Sequence, residues 1–131
     1  MERQPIRGFK DLEVYRRGYT LALSVHRGSA CWPDEGRHGV VSQLRGAAWS
    51  VPANIAEGYG RKTFEKDFKR FLVVALGSVN EVMVFIDAAH DLGWLEEGLH
   101  REWQEGYTVL AKQLNVLIQR WETYSPRPVE P

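Results

Sequence analysis

The sequence predicts an all-α protein, an antiparallel up-down four-helix bundle. Three observations predict it. Apolar residues recur at steps of three and four along four long segments, the spacing of one helix face. No stretch alternates apolar and polar residues at period two, so strands are not expected. Three short breaks separate the segments, and short connections make consecutive helices antiparallel neighbours. The 131 residues, 44% hydrophobic with five Trp, suit one domain with one core and exclude a largely disordered chain. The expected organisation is a flexible N-terminal arm over 1–8, the bundle over 9–124 and a flexible tail over 125–131. Three of the six prolines fall in that tail.

The first segment places Phe9, Leu12, Tyr15, Tyr19, Leu23 and His26 on one stripe. The break Gly28-Ser29-Ala30-Cys31-Trp32-Pro33-Asp34 follows, and Asp34 reads as the N-cap of the second helix. Its stripe is Val40, Val41, Leu44, Ala47, Ala48, Val51 and Ile55, ending at the glycines of Gly58-Tyr59-Gly60-Arg61-Lys62-Thr63. Thr63 reads as the cap of the third helix, with Glu65 and Asp67 near its positive end. That helix carries Phe64, Phe68, Phe71, Ala75, Val79, Val82, Ile86 and Ala89. After Asp91-Leu92-Gly93-Trp94 the fourth repeats the pattern with Leu99, Trp103, Tyr107, Leu110, Leu114, Leu117 and Trp121.

The third helix is apolar beyond its stripe. Val73, Val74, Leu76, Val84 and Phe85 lie off the seam, where a helix packed on one side is normally polar. Packing on two neighbours inside the bundle would explain this. A subunit interface would too, and a homo-oligomer is the expectation.

The net charge is zero, which argues against a histone-like or tail-type nucleic-acid binder and leaves room for a local basic face. Residues 1–70 hold thirteen Lys/Arg against eight Asp/Glu, and residues 71–131 hold four against nine. The basic half is densest at Arg61, Lys62, Lys66, Lys69 and Arg70, with Arg45 expected nearby. Lys and Arg there would hold phosphates without reading sequence. A solvated run of interleaved charge is the competing reading. The one cysteine, Cys31, excludes an intramolecular disulfide and a Cys-rich zinc site. No apolar stretch follows Met1, so a signal peptide is not expected. The apolar runs Phe71 to Leu76 and Val82 to Ile86, split by Asn80 and Glu81, fall short of the ~20 residues of a membrane span. A soluble cytoplasmic protein is expected.

The most distinctive stretch is the second helix and the turn after it. Pro52 inside a helix removes one backbone bond and predicts a kink. Ser50, Asn54 and Glu57 share a face, and polar groups buried there need partners, which Ser78 and Glu81 on the third helix can supply. The core Gln43, Leu44, Arg45, Ala47, Ser50, Pro52, Asn54, Ile55, Ala56, Glu57 and Gly58 resembles the four-helix-bundle proteins named for the intervening sequences of bacterial 23S rRNA. The opening Trp32-Pro33-Asp34-Glu35, the signature Ala75, Gly77, Ser78 and Glu81, and the start Phe9-Lys10-Asp11-Leu12-Glu13-Val14-Tyr15 carry the same resemblance. Gly46, where a second Arg is usual, and Val51, where Ile is usual, depart from it. The resemblance implies a homopentamer with a role in RNA binding. A branch similar in fold, the accessory variability determinant of diversity-generating retroelements, implies instead a pentameric barrel that binds a reverse transcriptase and nucleic acid.

Catalytic alternatives fare worse. Glu35-Gly36-Arg37-His38 and Glu97-Gly98-Leu99-His100 are both Glu-x-x-His, and with Glu13 and Glu81 they would complete a di-metal carboxylate set. Both motifs are expected in first helical turns next to glycines and exposed ends, which speaks against a site that needs inward ligands and leaves the di-metal bundle a remote alternative. Cys31 with His26 or His38 lacks an orienting carboxylate. No Gly-rich phosphate loop can follow a strand where no strand is expected. With the basic cluster and the resemblance, the expectation is a non-enzymatic oligomeric module that binds RNA, DNA or a protein partner such as a reverse transcriptase, without metal or cofactor.

Overall fold

The computed structural model describes residues 6–33 and 35–124. Part of the expected N-terminal arm (1–5), the Asp34 cap and the expected tail (125–131) lie outside the described residues. A single 3₁₀ turn, Phe9–Asp11, leads into four helices: α1 (Glu13–Gly28), α2 (Val40–Gly60), α3 (Glu65–Asp91) and α4 (Glu97–Tyr124). There is no strand among the described residues. Consecutive helices pack side by side and α4 closes back onto α1, which leaves α1 and α3 at diagonal corners. This is the antiparallel four-helix bundle that the periodicity predicts.

Each helix turns one apolar face to a common core. Leu44, Val51 and Ile55 come from α2, Phe68, Leu72, Val79 and Ile86 from α3, and Trp103, Tyr107, Leu110 and Leu114 from α4; all are fully buried. Burying side chains of this size is worth about 1.5–3 kcal/mol each. The Trp103 indole donates to Ser24 Oγ at 2.9 Å, so the largest core ring keeps its polar atom satisfied.

On α1 the buried residues are Val14, Gly18, Ala22 and Val25, one step away from the stripe the aromatic residues suggest. Tyr19 and His26 are exposed. Small residues win the inward face because α1 lies close to its neighbours. A Cβ on Gly18 would sit 3.2 Å from Val51 Cγ1 and 3.7 Å from Pro52 Cδ. The aromatic rings instead ride over the α1–α2 seam. Tyr19 meets Trp49 edge-on with centroids 5.4 Å apart, and the Trp49 indole donates to His26 Nδ1 at 3.0 Å.

Helix α2 starts later than the loop composition suggests, with Gly39 at its N-cap. Gly36 has a φ of +83°, a left-handed turn that favours glycine, and the Gly39 amide closes that turn onto the Gly36 carbonyl at 3.1 Å. The helix then runs unbroken past Pro52 to Gly60. Phe64, not Thr63, is the N-cap of α3, and no side chain caps it. Phe64 consequently lies outside the helix and is exposed, and the seam of α3 runs Phe68, Leu72, Ala75, Val79 with Phe71 half-buried. The α3–α4 turn has Gly93 at φ +81°, the left-handed residue that follows many helices. Glu96 Oε1 caps the other side by accepting from the Leu99 amide at 3.1 Å.

The off-seam residues of α3 divide. Leu76 and Phe85 are half-buried against the core. Val73, Val74 and Val84 face outward and are 50%, 47% and 63% exposed. By length and composition Lys66–Asp91 also passes as a membrane span, contrary to the reading from apolar runs. Counting over the whole helix admits its many Val and Ala. In the fold its inner side packs on α2 and α4.

Candidate nucleic-acid interface

The basic run of the sequence occupies the α2–α3 turn and the first turns of α3. The Arg61 amide ends α2 by donating to the Gly58 carbonyl at 2.9 Å, and the Lys62 amide donates to Tyr59 at 3.1 Å. The chain then re-enters a helix within four residues. That places Arg61, Lys62, Lys66, Lys69 and Arg70 at one end of the bundle.

Aromatic rings lie against three of these cations. The guanidinium groups of Arg61 and Arg70 lie 5.6 and 5.5 Å from the Phe71 ring centre. Lys62 Nζ lies 4.3 Å over Tyr59. Such contacts are worth about 0.5–1 kcal/mol at exposed sites. Arg61 also approaches Glu57 at 3.6 Å and Arg70 approaches Asp67 at 4.0 Å, both at the surface. Exposed pairs of this kind contribute ~0–1 kcal/mol, too little to remove these cations from a competing phosphate. Lys66 is exposed and Lys69 half-buried.

The antiparallel topology adds cations that the sequence reading missed. The start of α1 and the end of α4 lie at this same end, bringing Lys10 and Arg16 from one and Arg120 from the other. The signal was present in the predicted topology, since in an up-down bundle both termini share an end with the middle connection. The acids gather oppositely. Asp87 and Asp91 close α3, and Glu96 and Glu97 open α4.

Arg45 does not join the basic end. It lies sixteen residues before Arg61 on α2, about 24 Å along the helix axis. Its Nε donates to Ser29 Oγ and its Nη2 to the His26 carbonyl, both at 3.0 Å. A guanidinium at the C-terminus of α1 meets unsatisfied carbonyls and the negative end of the helix dipole. That explains the position locally.

The polar motif residues divide into groups. Ser50 and Ser78 touch through their hydroxyls at 2.9 Å, and Asn54 Nδ2 donates to Ser50 Oγ and to the Ser50 carbonyl. Glu81 is exposed and lines, with Ser50 and Ser78, a shallow groove of about 220 Å³ on the α2–α3 face. Glu57 does not join them; it is exposed and turned to Arg61. Pro52 is buried on the α1 side. Gly58 is buried against α3, where a Cβ would come within 2.6 Å of Phe71 Cβ.

The Glu-x-x-His motifs do not converge. Glu35 to His38 precede α2 and are exposed. His100 Nε2 bonds Asp87 Oδ1 at 2.8 Å, and its ring stacks on His90 at 4.3 Å. Glu13 is turned to Arg17 at 3.8 Å. Among the described residues no three His, Cys, Asp or Glu side chains are placed to hold a metal ion. Cys31 is exposed, and His26 Nδ1 is engaged by Trp49.

The model of the family described as 23S rRNA-intervening sequence protein matches residues 10–116. No curated protein matches the chain.

Proposed function

Because the chain belongs to the 23S rRNA-intervening sequence protein family, we propose that it is a non-enzymatic, homo-oligomeric module that binds RNA or DNA through the basic end of its bundle. The observation that supports this reading is the gathering of Arg61, Lys62, Lys66, Lys69 and Arg70 at that end, where Arg61, Lys62 and Arg70 lie against aromatic rings and the ion pairs of Arg61 and Arg70 are exposed and long. Lys10 and Arg16 extend it from the start of α1. Cations on helix ends contact phosphate oxygens and fix orientation without reading bases. The exposed Val73, Val74 and Val84 support an oligomer. Five copies is the number that the family resemblance implies. Repeating the basic end around a symmetric particle adds avidity to individually weak contacts.

The test is a salt titration of binding to structured RNA and to duplex DNA. Each phosphate contact releases counterions, so affinity falls steeply as salt rises. Replacing Lys66, Lys69 and Arg70 together by Ala should weaken both ligands alike and flatten the salt slope. Circular dichroism confirms that the variant stays folded. A folded triple variant with unchanged affinity and slope would falsify the reading and leave a protein partner as the leading one.

A further inference from the structure

Two surfaces of one protomer carry side chains in matching order. On α4, Lys112, Val116 and Arg120 follow at steps of four, cation, apolar, cation. With Leu12, Val14 and Leu117 they line a groove of about 350 Å³ between α4 and the start of α1. Its floor is apolar, and Val116 is 45% exposed. Lys112 and Arg120 make no hydrogen bond or ion pair among the described residues. Glu13 also lies at the rim, turned to Arg17.

On α3, Glu81, Val84 and Asp87 follow at steps of three, acid, apolar, acid. Val84 is the most exposed of the outward valines. At 100° per residue the two carboxylates stand about 60° to either side of it, and the two cations stand about 40° to either side of Val116. The carboxylates are about 9 Å apart along the axis and the cations about 12 Å, a difference that Lys and Arg side chains span. Glu81 has no partner among the described residues, and Asp87 uses Oδ1 on His100.

The ridge is on α3 and the groove between α1 and α4, so they face different sides of the bundle. Contact between two different patches is heterologous, and it is the only kind that closes a ring with an odd number of copies. We propose that the Glu81–Val84–Asp87 ridge of one copy docks into the α1–α4 groove of the next. Between copies pointing the same way, Glu81 meets Arg120 and Asp87 meets Lys112. Val84 lies nineteen residues from the start of α3 and Val116 eight from the end of α4. Neighbouring copies are therefore offset by about 16 Å along the bundle, which tilts them within a ring. This docking presupposes the homo-oligomer proposed for the protein.

Light scattering at micromolar concentration, on the full chain, tests it. The wild type should give a multiple of 15.0 kDa. Lys112→Glu with Arg120→Glu should reduce the mass to that of one chain, and so should Glu81→Lys with Asp87→Lys. The chain carrying all four reversals should regain the wild-type mass. Independently, Val84→Cys with Val116→Cys in a Cys31→Ser background should form disulfide-linked ladders on oxidation, whether or not a charge variant folds poorly. Double variants that keep the wild-type mass, a fourfold variant that stays dissociated, or a double-Cys chain that forms no covalent dimer each overturn the docking while leaving the oligomer intact. A wild-type protein of single-chain mass removes the oligomer itself, and the docking with it.

Discussion

The hydroxyls of Ser50 and Ser78 meet at 2.9 Å across the seam between α2 and α3, and Asn54 turns its amide onto the same oxygen of Ser50 at 2.9 Å. Three side chains of two helices thus share one half-buried junction. Removing one partner leaves the other less satisfied, at about 1 kcal/mol. Ser78→Ala should lower the unfolding free energy by roughly that amount. A double-mutant cycle with Ser50→Ala, followed by urea denaturation, should give a coupling of about 0.5–1.5 kcal/mol. Strict additivity would mean that the two hydroxyls act independently.

Gly58 permits the close approach of α3. A Cβ there would lie 2.6 Å from Phe71 Cβ and 3.1 Å from Phe68 Cδ1. Gly58→Ala should destabilise the protein by about 1–3 kcal/mol through overpacking. Gly46, also within α2, meets nothing within 4 Å. Gly46→Ala should therefore stabilise it by about 0.5–1 kcal/mol, as helix propensity alone dictates. Opposite signs in thermal melts are the expected result.

Arg45 and the basic end should separate cleanly by experiment. Arg45→Ala removes the bonds to Ser29 Oγ and the His26 carbonyl, costing about 1–2 kcal/mol of stability. It should leave nucleic-acid affinity and salt slope unchanged. A loss of affinity comparable to that of the Lys66, Lys69 and Arg70 variant would contradict this division.

Tyr107 offers a pH test. Its hydroxyl is buried without a hydrogen-bond partner among the described residues, and burial pushes its pKa above the ordinary value near 10. Above that value the unfolded chain releases the phenol proton while the folded chain keeps it. The unfolded state then binds fewer protons, so stability falls as pH rises. Tyr107→Phe should remove this alkaline loss, and near pH 7 it should stabilise the fold by about 1 kcal/mol by deleting the unsatisfied group. Denaturation curves at neutral and alkaline pH read both effects.

What the sequence conveys about this fold is its periodicity. The runs Leu44 to Ile55 and Trp103 to Leu114 show their buried faces directly, because most of the large apolar residues there fall on one face. On α1 the pattern misleads, since Gly18 and Ala22 face inward while Tyr19 and His26 ride on the surface. Small residues mark close helix approach, which residue size conceals. The start of α2 is displaced because Gly36 and Gly39 form a turn that composition alone does not locate. The basic turn is legible as a charge run. Its enlargement by Lys10, Arg16 and Arg120 follows only once the ends of the helices are assigned, and the separate place of Arg45 follows only from its partners on α1.

A zero net charge conceals how the charges of this bundle are arranged. Cations crowd where α2 passes into α3, and carboxylates crowd some 40 Å away, where α3 passes into α4. To a distant polyanion such a body presents no net pull. At close range it experiences a torque, which swings the basic end forward before contact. Salt would then suppress alignment as well as attraction, since ions screen both the field that turns the body and the gradient that draws it in, within about one Debye length, ~8–10 Å at physiological strength. On the proposed function, such a body would be indifferent to nucleic acid until near it, and oriented once there.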